Sequence, residues 1–516
     1  MNYADLFRVT LPETALDIAA LLVLILDLGL LRKAALQTRI MASVLIGVLG
    51  CSAAMLVMPY QAAGGLTYPG SPDLLLSAGG YTSIAQIGIL VLTVFTLFLL
   101  VGSDFTKHVG EFVAVVLMAA TGGLLISAGQ DLLVVFVGLE LLSLGLYILT
   151  AFAKRSGKSA ESAMKYYLFG GMSAAFLLFG FSYLYGLTGS TNLHQIMRAL
   201  YSTTANGAAP LLYVALVMIA AGLGFKVAAV PFHLWAPDTY EGAPAPAAAF
   251  IASVSKVASF ALLIGVGTAA AHSLDPSKPM HVWITASLNP KGLPTYFGFS
   301  GPWSLIIAIL AVASMVFGNL AALAQDSVRR LLAYSAIAHA GYILLAVAYF
   351  SRSNISANAI LYYILTYGLT TIGAFGAVSL VERINGSDRM DAFLGLYRRN
   401  GVLAGVLLIL FLSLAGIPPL VGFWAKFNLF AAVLRVDRGV APFALVAIAV
   451  AMSAVSLYYY LQVLKRVFVM PPAEDGPVKG SPLTIGVLAL ITLAVVLLGC
   501  LPGLMQSWMA TFYAGM

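Results

Sequence analysis

Long apolar runs alternate with short polar connections along the whole chain, and this pattern predicts membrane-spanning helices. An α-helix needs about 20 predominantly apolar residues to cross the hydrocarbon core of a bilayer. Segmentation on that basis predicts fourteen spans, numbered here from 1 to 14. They lie at 12–31, 40–58, 79–102, 109–127, 130–152, 161–188, 209–231, 245–270, 302–324, 330–350, 354–381, 401–430, 440–464 and 481–505.

Composition indicates the same class, an all-α polytopic membrane protein. Of 516 residues, 61% are hydrophobic and only 9% are charged, whereas about one-quarter of a soluble domain is charged. The basic residues behind the net charge of +7 lie mostly in short loops, which favours a topology signal over nucleic-acid binding. Cys51 and Cys500 lie in apolar runs without metal-ligand spacing, so neither a disulfide framework nor a zinc or iron–sulfur site is predicted.

Basic residues in the connections predict how the chain is oriented. Sixteen lysines and arginines fall on one side, called the basic side below, and seven fall on the other. The basic side is therefore predicted to be cytoplasmic, which places both termini on the periplasmic side. The remaining four of the 27 basic residues are assigned within spans: Lys165, Lys226, Lys256 and Lys426.

Two of the spans are broken by proline, span 7 at residues 230–233 and span 12 at residues 416–419. Unwound backbone at membrane depth survives only where protein or water covers it. Because the breaks are five spans apart, an odd number, they predict two inverted five-helix repeats, helices 4–8 and 9–13, with discontinuous helices 7 and 12. The predicted domains are 1–108 with helices 1–3, 109–270 as the first repeat, 302–468 as the second, and 469–516 with helix 14.

Glu140 and Lys226 form the first pair of candidate functional residues. Glu140 lies about ten residues into span 5, or roughly 15 Å at 1.5 Å per residue, close to mid-membrane. A carboxylate there is neutral unless a cation lies nearby, and Lys226, beside the break in span 7, is the expected partner. An intramembrane charge costs roughly 2.5–3.5 kcal/mol on insertion scales, so it is kept for function or for a buried partner. The alternative is a static salt bridge that fixes helix register.

Three further candidates follow, Lys256 and His339 near the middle of their spans and Lys426 late in span 12. Lys256 is flanked by small residues that leave room for water, and a lysine balanced between burial and a nearby carboxylate can exchange protons near neutral pH. Histidine changes its charge nearest physiological pH, so His339 is a candidate, although a lone histidine is also often a hydrogen-bonded core residue. Lys426 follows the second break, and its alternative role is snorkelling to an interface.

Residues near the basic side are weaker candidates. Lys165 follows Glu161 by four residues, the favourable order for a helical ion pair, and is equally consistent with the mouth of a proton path. Asp238 and Glu241 are expected to be loop charges, and His233 to hydrogen-bond the broken backbone. The candidates for proton uptake or a secondary role are therefore Lys165, His233 and Asp238.

Sequence motifs for bound cofactors are missing. The chain contains no Walker loop, no GxGxxG placed between a strand and a helix, and no HExxH. It is therefore expected to hold no nucleotide, flavin, haem or metal, and any redox chemistry is assigned to partners.

Three segments resemble one family: KVAAVPFHLWAPDTYEGAPAPAAAFIASVSKVA at 226–258, QDSVRRLLAYSAIAHAGY at 325–342, and LAGIPPLVGFWAKF at 414–427. They are similar to the proton-translocating, antiporter-like membrane subunits of type I NADH-quinone oxidoreductase, respiratory complex I. The resemblance covers nearly the whole chain, and the long central segment is highly specific to this superfamily. Within it the chain resembles the N-type subunits, because it ends soon after the last span and carries a lysine at 426.

The resemblance implies a proton relay along a hydrated mid-membrane axis. Its members are Glu140 paired with Lys226, followed by Lys256, His339 and Lys426. In the implied mechanism, a charge change in one subunit alters the Glu140–Lys226 pairing and so shifts the proton affinity of that lysine. The proton then moves through water along the later groups and leaves on the outer side.

The resemblance also implies cofactors, partners and a location. NADH, FMN, iron–sulfur clusters and quinone are expected in partner subunits, with none on this chain. The expected partners are other antiporter-like and small subunits of the membrane arm and the lipid bilayer of a bacterial inner (plasma) membrane, without nucleic acid. Two alternatives remain, a subunit of a multisubunit cation/proton antiporter and a non-pumping membrane scaffold.

Overall fold

A computed structural model describes residues 7–62, 75–203, 209–273, 300–350, 355–472, 476 and 480–512. Over these residues the chain consists of helices joined mostly by short connections, with three isolated β-bridges. The α-helices are α1 Leu11–Ile25, α2 Leu36–Ala62, α3 Gly80–Leu99, α4 Val109–Ala128, α5 Leu132–Thr150, α6 Gly157–Thr188, α7 Leu193–Thr203, α8 Ala209–Val227, α9 Trp235–Gly242, α10 Ala245–Ala252, α11 Val254–Ser273, α12 Ser300–Ala322, α13 Val328–Ala348, α14 Ile355–Asn385, α15 Leu396–Arg399, α16 Gly401–Ala415, α17 Val421–Val436, α18 Val440–Phe468, α19 Pro482–Cys500 and α20 Pro502–Thr511.

Among the described residues, twelve helical segments are long and apolar enough to cross a membrane. This confirms the prediction of an all-α polytopic membrane protein. Two predicted spans are not among the twelve. Span 1 corresponds to the 15-residue α1 and a π-helix that continues it, Leu26–Leu30, and span 12 corresponds to the shorter helices α16 and α17. The total of fourteen crossings and the inverted repeats remain predictions.

Three features of the helices differ from the predicted spans. Span 8 is interrupted at Ser253 between α10 and α11, and the Ser253 hydroxyl donates to the Ala249 carbonyl oxygen (2.6 Å). The helix that corresponds to span 14, α19, ends at Cys500, because a bend at Leu501 separates it from α20. The helix α7 lies outside every predicted span, since it is short and amphipathic rather than continuously apolar.

The helices that carry Lys256 and His339 lie at the centre of the molecule. In the apolar stretches of α10–α11 and of α13, 94% of residues are buried, against 22% in α18. The helix α14 is also mostly buried. The central candidates are therefore enclosed by protein, whereas α18 presents most of its surface outward.

Two helix pairs approach each other closely through glycine. A Cβ at Gly122 of α4 would lie 2.9 Å from the Gly138 carbonyl oxygen of α5, and a Cβ at Gly318 of α12 would lie 2.9 Å from the Tyr334 carbonyl oxygen of α13. Small residues of this kind allow helix backbones to approach in membranes. The two pairs are spans 4–5 and 9–10, which are corresponding positions of the two predicted repeats.

Candidate functional site

The first break in the helices separates α8 from α9. The backbone at Ala228 is left-handed (φ 59°), and the peptide bond between Val230 and Pro231 is cis. The Val230 N–H donates to Ser314 Oγ on α12 (2.9 Å). The break leaves this N–H without a helical acceptor, and a hydroxyl from a neighbouring helix accepts its hydrogen bond instead. Backbone N–H groups buried at membrane depth need such a partner.

The second break separates α16 from α17. Gly416 is left-handed (φ 89°), and the peptide bond between Pro418 and Pro419 is cis. The Gly422 N–H, near the start of α17, donates to Ser413 Oγ (3.2 Å). A serine hydroxyl therefore accepts a backbone N–H at each of the two breaks.

Lys226 lies in the last turn of α8, where the helix dipole favours a positive charge. Its side chain is buried, and its ammonium donates to Ser143 Oγ on α5 and lies 6.0 Å from the centre of the Tyr147 ring. Glu140, three residues before Ser143, is half-buried and close enough to act on the ammonium electrostatically. In the described structure the two do not form a direct ion pair, and the ammonium donates to Ser143 instead.

Lys256 lies in the first turn of α11 and is buried. Its ammonium donates to the Ala336 carbonyl oxygen of α13 (2.5 Å) and lies 5.8 Å from the centre of the Tyr367 ring on α14. A carbonyl oxygen and an aromatic face both attract a cation. Neither of them carries a charge that would fix the lysine in its protonated form.

His339 lies in the middle of α13 and contacts three tyrosines. Its Nδ1 hydrogen-bonds the Tyr363 hydroxyl (2.8 Å), and its ring centre lies 4.8 Å from that of Tyr367 and 5.7 Å from that of Tyr342. The imidazole is buried, and its Nε2 has no hydrogen-bond partner within the described ranges. This nitrogen is therefore available to a proton or a water molecule.

Lys426 lies in the second turn of α17, close to the second break. Its ammonium donates to the Ala415 carbonyl oxygen and to Ser453 Oγ, both at 2.8 Å. The Ala415 carbonyl belongs to the last turn of α16, whose carbonyls have no partner within the helix. The Tyr342 ring lies 5.4 Å away, and the side chain is buried in protein rather than extended to an interface.

Tyrosine rings connect three of these groups. Tyr367 lies between Lys256 and His339, and Tyr342 lies between His339 and Lys426. These five residues form one contiguous path through the centre of the molecule, called the relay path below. Lys226 of α8 lies outside the relay path, since no hydrogen bond or ring contact found in the described chain joins this lysine to a member of the path.

Two of the weaker candidates, Lys165 and Asp238, belong to an ion-pair network on the basic side. Asp238 pairs with Lys165 and Arg330, both at 2.7 Å, and Glu241 pairs with Lys158 (3.1 Å) and Arg330 (3.0 Å). Because α9 carries both carboxylates and α13 carries Arg330, the network joins the two predicted repeats. Burial alone would raise the pKa of the Asp238 carboxyl, but hydrogen bonds from Lys165 and Arg330 outweigh it and lower that pKa below its ordinary value.

A cavity of about 360 Å³ lies beside this network, lined among others by Glu241, Arg329 and Glu382. Arg329 donates to the Ala243 carbonyl oxygen and pairs with Glu382 (3.3 Å). The helix α14 extends from this cavity to Tyr367 of the relay path. Three buried hydroxyls in this region have no hydrogen-bond partner among the residues described: Thr239, Tyr240 and Thr371.

The structure gives further contacts for two residues of the basic side, Lys165 and His233. Lys165 forms the predicted pair with Glu161 (2.7 Å) in addition to its pair with Asp238. His233 is buried with its ring centre 4.8 Å from that of Phe317, and neither ring nitrogen has a hydrogen-bond partner among the residues that the structure describes. The broken backbone is instead satisfied by Ser314.

Several residues of the site are not singled out by the sequence. Ser143, Tyr363 and Tyr367 are uncharged and lie in long apolar helices, so a search for charges passes over them. Spacing offers a usable signal, because Ser143 follows Glu140 by three residues and so lies on the same helix face. The described residues contain no group of three His, Cys, Asp or Glu side chains arranged to hold a metal ion.

Comparison with known proteins gives consistent matches. The sequence matches the family described as NADH:quinone oxidoreductase/Mrp antiporter, transmembrane, over residues 129–288 and 286–453. It is 45% identical to NADH-quinone oxidoreductase subunit N 2 of Acidobacterium capsulatum over 99% of both chains. A chain of respiratory complex I from Thermus thermophilus with bound Aureothin is similar in structure, with a TM-score of 0.73 and 32% identity over 96% of this chain and 98% of that one. A chain of the Mrp complex from Dietzia sp. DQ12-45-1b shares the fold, with a TM-score of 0.75 and 22% identity over 97% of both.

Proposed function

Because the chain belongs to the NADH:quinone oxidoreductase/Mrp antiporter transmembrane family, we propose that it is a proton-translocating membrane-arm subunit of an NADH:quinone oxidoreductase. In this proposal the chain performs no redox chemistry itself. NADH, FMN, iron–sulfur clusters and quinone belong to partner subunits, and the chain packs in a bacterial inner membrane against other antiporter-like and small subunits. Both termini face the periplasm. The match to a relative named subunit N along its full length supports this assignment.

The relay path is the observation that carries the proposal. Ionisable groups inside a membrane protein are costly and mark ion or proton pathways. Lys256, His339 and Lys426 follow one another through the buried centre, with tyrosine rings between them. Their hydrogen-bond partners are carbonyl and hydroxyl oxygens. This arrangement supports the proposal that a proton passes along these groups through water.

Glu140 and Lys226 act as the switch in this proposal. The ammonium of Lys226 has two alternative partners on α5, the Ser143 hydroxyl that it contacts and the nearby Glu140 carboxylate. A direct ion pair with Glu140 holds the proton on Lys226 more firmly than a bond to a neutral hydroxyl does. A charge change in a neighbouring subunit shifts the balance between the two arrangements and so controls when the proton moves on.

Proton uptake is assigned to the cavity on the basic side. Acidic side chains of α9 and α14 line it, and unpartnered hydroxyls lie between it and the relay path. Water is the natural partner of buried polar groups that lack one in the protein. This route reaches the relay path at Tyr367, beside Lys256. The ion pair between Lys165 and Asp238 ties α9, which supplies Glu241 to the cavity lining, to α6.

Purification of the intact assembly tests the proposed function. The chain carries an affinity tag and is isolated with its neighbours in mild detergent. We expect subunits that oxidise NADH to co-purify, and the reconstituted assembly to move protons when NADH and quinone are supplied. Co-purification with antiporter-like subunits alone, together with sodium–proton exchange that needs no NADH, would identify a cation/proton antiporter instead. The fold shared with the Mrp complex does not distinguish these two outcomes.

A further inference from the structure

A second group of polar side chains lies in α1, α3 and α4, apart from the relay path. Glu13 and Asp17 lie one turn apart on α1, Gln86 lies on α3 and Thr121 on α4. The Gln86 amide donates to Glu13 Oε1 (3.4 Å), and the Thr121 hydroxyl donates to Asp17 Oδ1 (3.0 Å). Only 4% of Glu13 and 1% of Gln86 are exposed, whereas Asp17 lies on the surface of α1.

Within the part of the chain that the structure describes, this group has unsatisfied oxygens and no basic side chain paired with it. Among the described residues, Glu13 Oε2 and Gln86 Oε1 both lack a hydrogen-bond partner, although the two side chains contact each other. None of the ion pairs in the described chain involves Glu13 or Asp17. A buried carboxyl without a basic partner either carries a proton or binds a cation, because an isolated charge is too costly to bury.

We propose that Glu13, Asp17, Gln86 and Thr121 form a binding site for a small monovalent cation, H⁺ or Na⁺, separate from the relay path. Hard cations prefer oxygen ligands, and the group offers carboxyl, amide and hydroxyl oxygens, with the Leu124 carbonyl oxygen 3.5 Å from the Gln86 amide nitrogen. Two carboxyl groups one turn apart repel each other when both are charged, so the uptake of one cation stabilises the pair. Asp17, exposed on α1, connects the buried carboxyl to the surface.

Carbodiimide labelling of the complete wild-type assembly tests this site without any turnover, so its result does not depend on the proposed function. N,N′-dicyclohexylcarbodiimide reacts with protonated carboxyls in apolar surroundings, and mass spectrometry locates the label. We expect label on Glu13 or Asp17 that falls about tenfold for each pH unit above the midpoint of the site. Glu111, a half-buried carboxyl of α4 that pairs with His108 (2.9 Å), is the internal control and should stay unlabelled.

Salt additions distinguish the two cations. Protection from labelling by NaCl but not by KCl at equal ionic strength assigns the site to Na⁺, and labelling that NaCl does not change assigns it to H⁺. Both results support the proposal. Absence of label from Glu13 and Asp17 at every pH, in a preparation where other buried carboxyls are labelled, overturns it.

A pair of glutamine variants tests whether Gln86 contributes to the site. Gln86→Leu removes an oxygen ligand and leaves both carboxyls in place, so we expect a shift in the labelling midpoint or in the NaCl concentration that gives half-protection. Gln61→Leu is the matched control, because Gln61 is also buried among the first helices but donates to the Val9 carbonyl oxygen outside the group. Identical labelling of Gln86→Leu and wild type would remove Gln86 from the site.

Discussion

At the scale of single residues, the three lysines of the membrane interior are stabilised in the same way. Lys226, Lys256 and Lys426 all donate to hydroxyl or carbonyl oxygens, and in the described ranges none forms a direct ion pair with a carboxylate. Such hydrogen bonds reduce the cost of burying an ammonium but supply no counter-charge of their own. A lysine held in this way can release and regain its proton without the loss of a charged partner, which suits a relay.

The Tyr363 hydroxyl is expected to matter for proton transfer through His339. Tyr363→Phe removes the hydrogen bond to His339 Nδ1 and retains the ring. The net worth of one such bond is about 0.5–1.5 kcal/mol, so we expect proton pumping to slow by about two- to tenfold. The measurement is NADH-driven proton uptake into proteoliposomes. Tyr362→Phe is the matched control, since its hydroxyl has no partner in the described structure; equal rates for the two variants would argue against a role for the Tyr363 hydroxyl.

At the scale of elements, the two helix breaks are defined structures rather than frayed ends. Each has a serine that accepts a backbone N–H at the break, Ser314 at the first and Ser413 at the second. Each also brings a lysine to the C-terminal end of a half-helix, Lys226 within α8 and Lys426 against the last carbonyl of α16. The two lysines thus reach similar positions although one precedes its break and the other follows it.

Gly416 is predicted to control the position of Lys426. Gly416→Ala places a Cβ 2.9 Å from the Lys426 side chain, at a residue with φ 89°. A left-handed backbone costs a residue with a Cβ roughly 1–2 kcal/mol, so we expect a lower unfolding temperature together with slower proton pumping.

Gly405→Ala on α16 is the control for this substitution, because a Cβ there has no atom within 4 Å. Thermal unfolding in detergent and proton uptake are measured for both variants. Wild-type behaviour of Gly416→Ala in both assays would show that the second break tolerates a side chain and that Lys426 does not depend on it.

The helices and their breaks could be predicted because they are local properties of the sequence. Apolar runs of about 20 residues mark spans, and the prolines of residues 230–233 and 416–419 mark breaks. The interruption at Ser253 could not be predicted, since neither proline nor glycine occupies that position. The amphipathic helix α7 could not be predicted from apolar runs either, because its apolar residues alternate with polar ones.

The charged members of the site could be predicted, but their partners could not. Lys226 and Lys256 stand out because a charge within an apolar run is visible in the sequence alone. Ser143 lies 83 residues from Lys226, and Ala336 lies 80 residues from Lys256. Contacts over such separations arise from helix packing, which no local pattern encodes, and an uncharged acceptor leaves no charge signal either.

At the scale of the whole molecule, three of the polar systems occupy different regions of an apolar protein. The ion-pair network joins α6, α9 and α13 on the basic side. The relay path lies at the buried centre, and the group around Glu13 lies in the first helices. This separation means that variants of one system should leave the contacts of the other two unchanged.

The ion-pair network is expected to make stability depend on pH. Burial raises the pKa values of Asp238 and Glu241, but hydrogen bonds from basic side chains outweigh it and lower both. Because the folded-state values lie below the ordinary values of about 4, the contribution is fully present above that pH and is lost as pH falls through the folded-state values. We therefore expect the unfolding temperature of the assembly to drop in acid, and to drop less in Asp238→Asn.

The control for this pH dependence is Asp326→Asn, which removes a carboxylate whose side chain is 80% exposed and paired with an exposed arginine. Exposed pairs contribute little to stability, so this variant should follow the wild-type curve. If Asp238→Asn also followed the wild-type curve, the network would contribute nothing to stability that depends on pH.

The most direct test of proton translocation through this chain is Lys226→Ala in the complete assembly. Proton uptake and electron transfer from NADH to quinone are measured in the same proteoliposomes, with Lys465→Ala, an exposed lysine of α18, as control. If protons pass through this chain, we expect intact assembly, a normal ratio of protons to electrons in the control, and a clearly reduced ratio in Lys226→Ala. Intact assembly with an unchanged ratio in Lys226→Ala would contradict it and would favour a membrane scaffold.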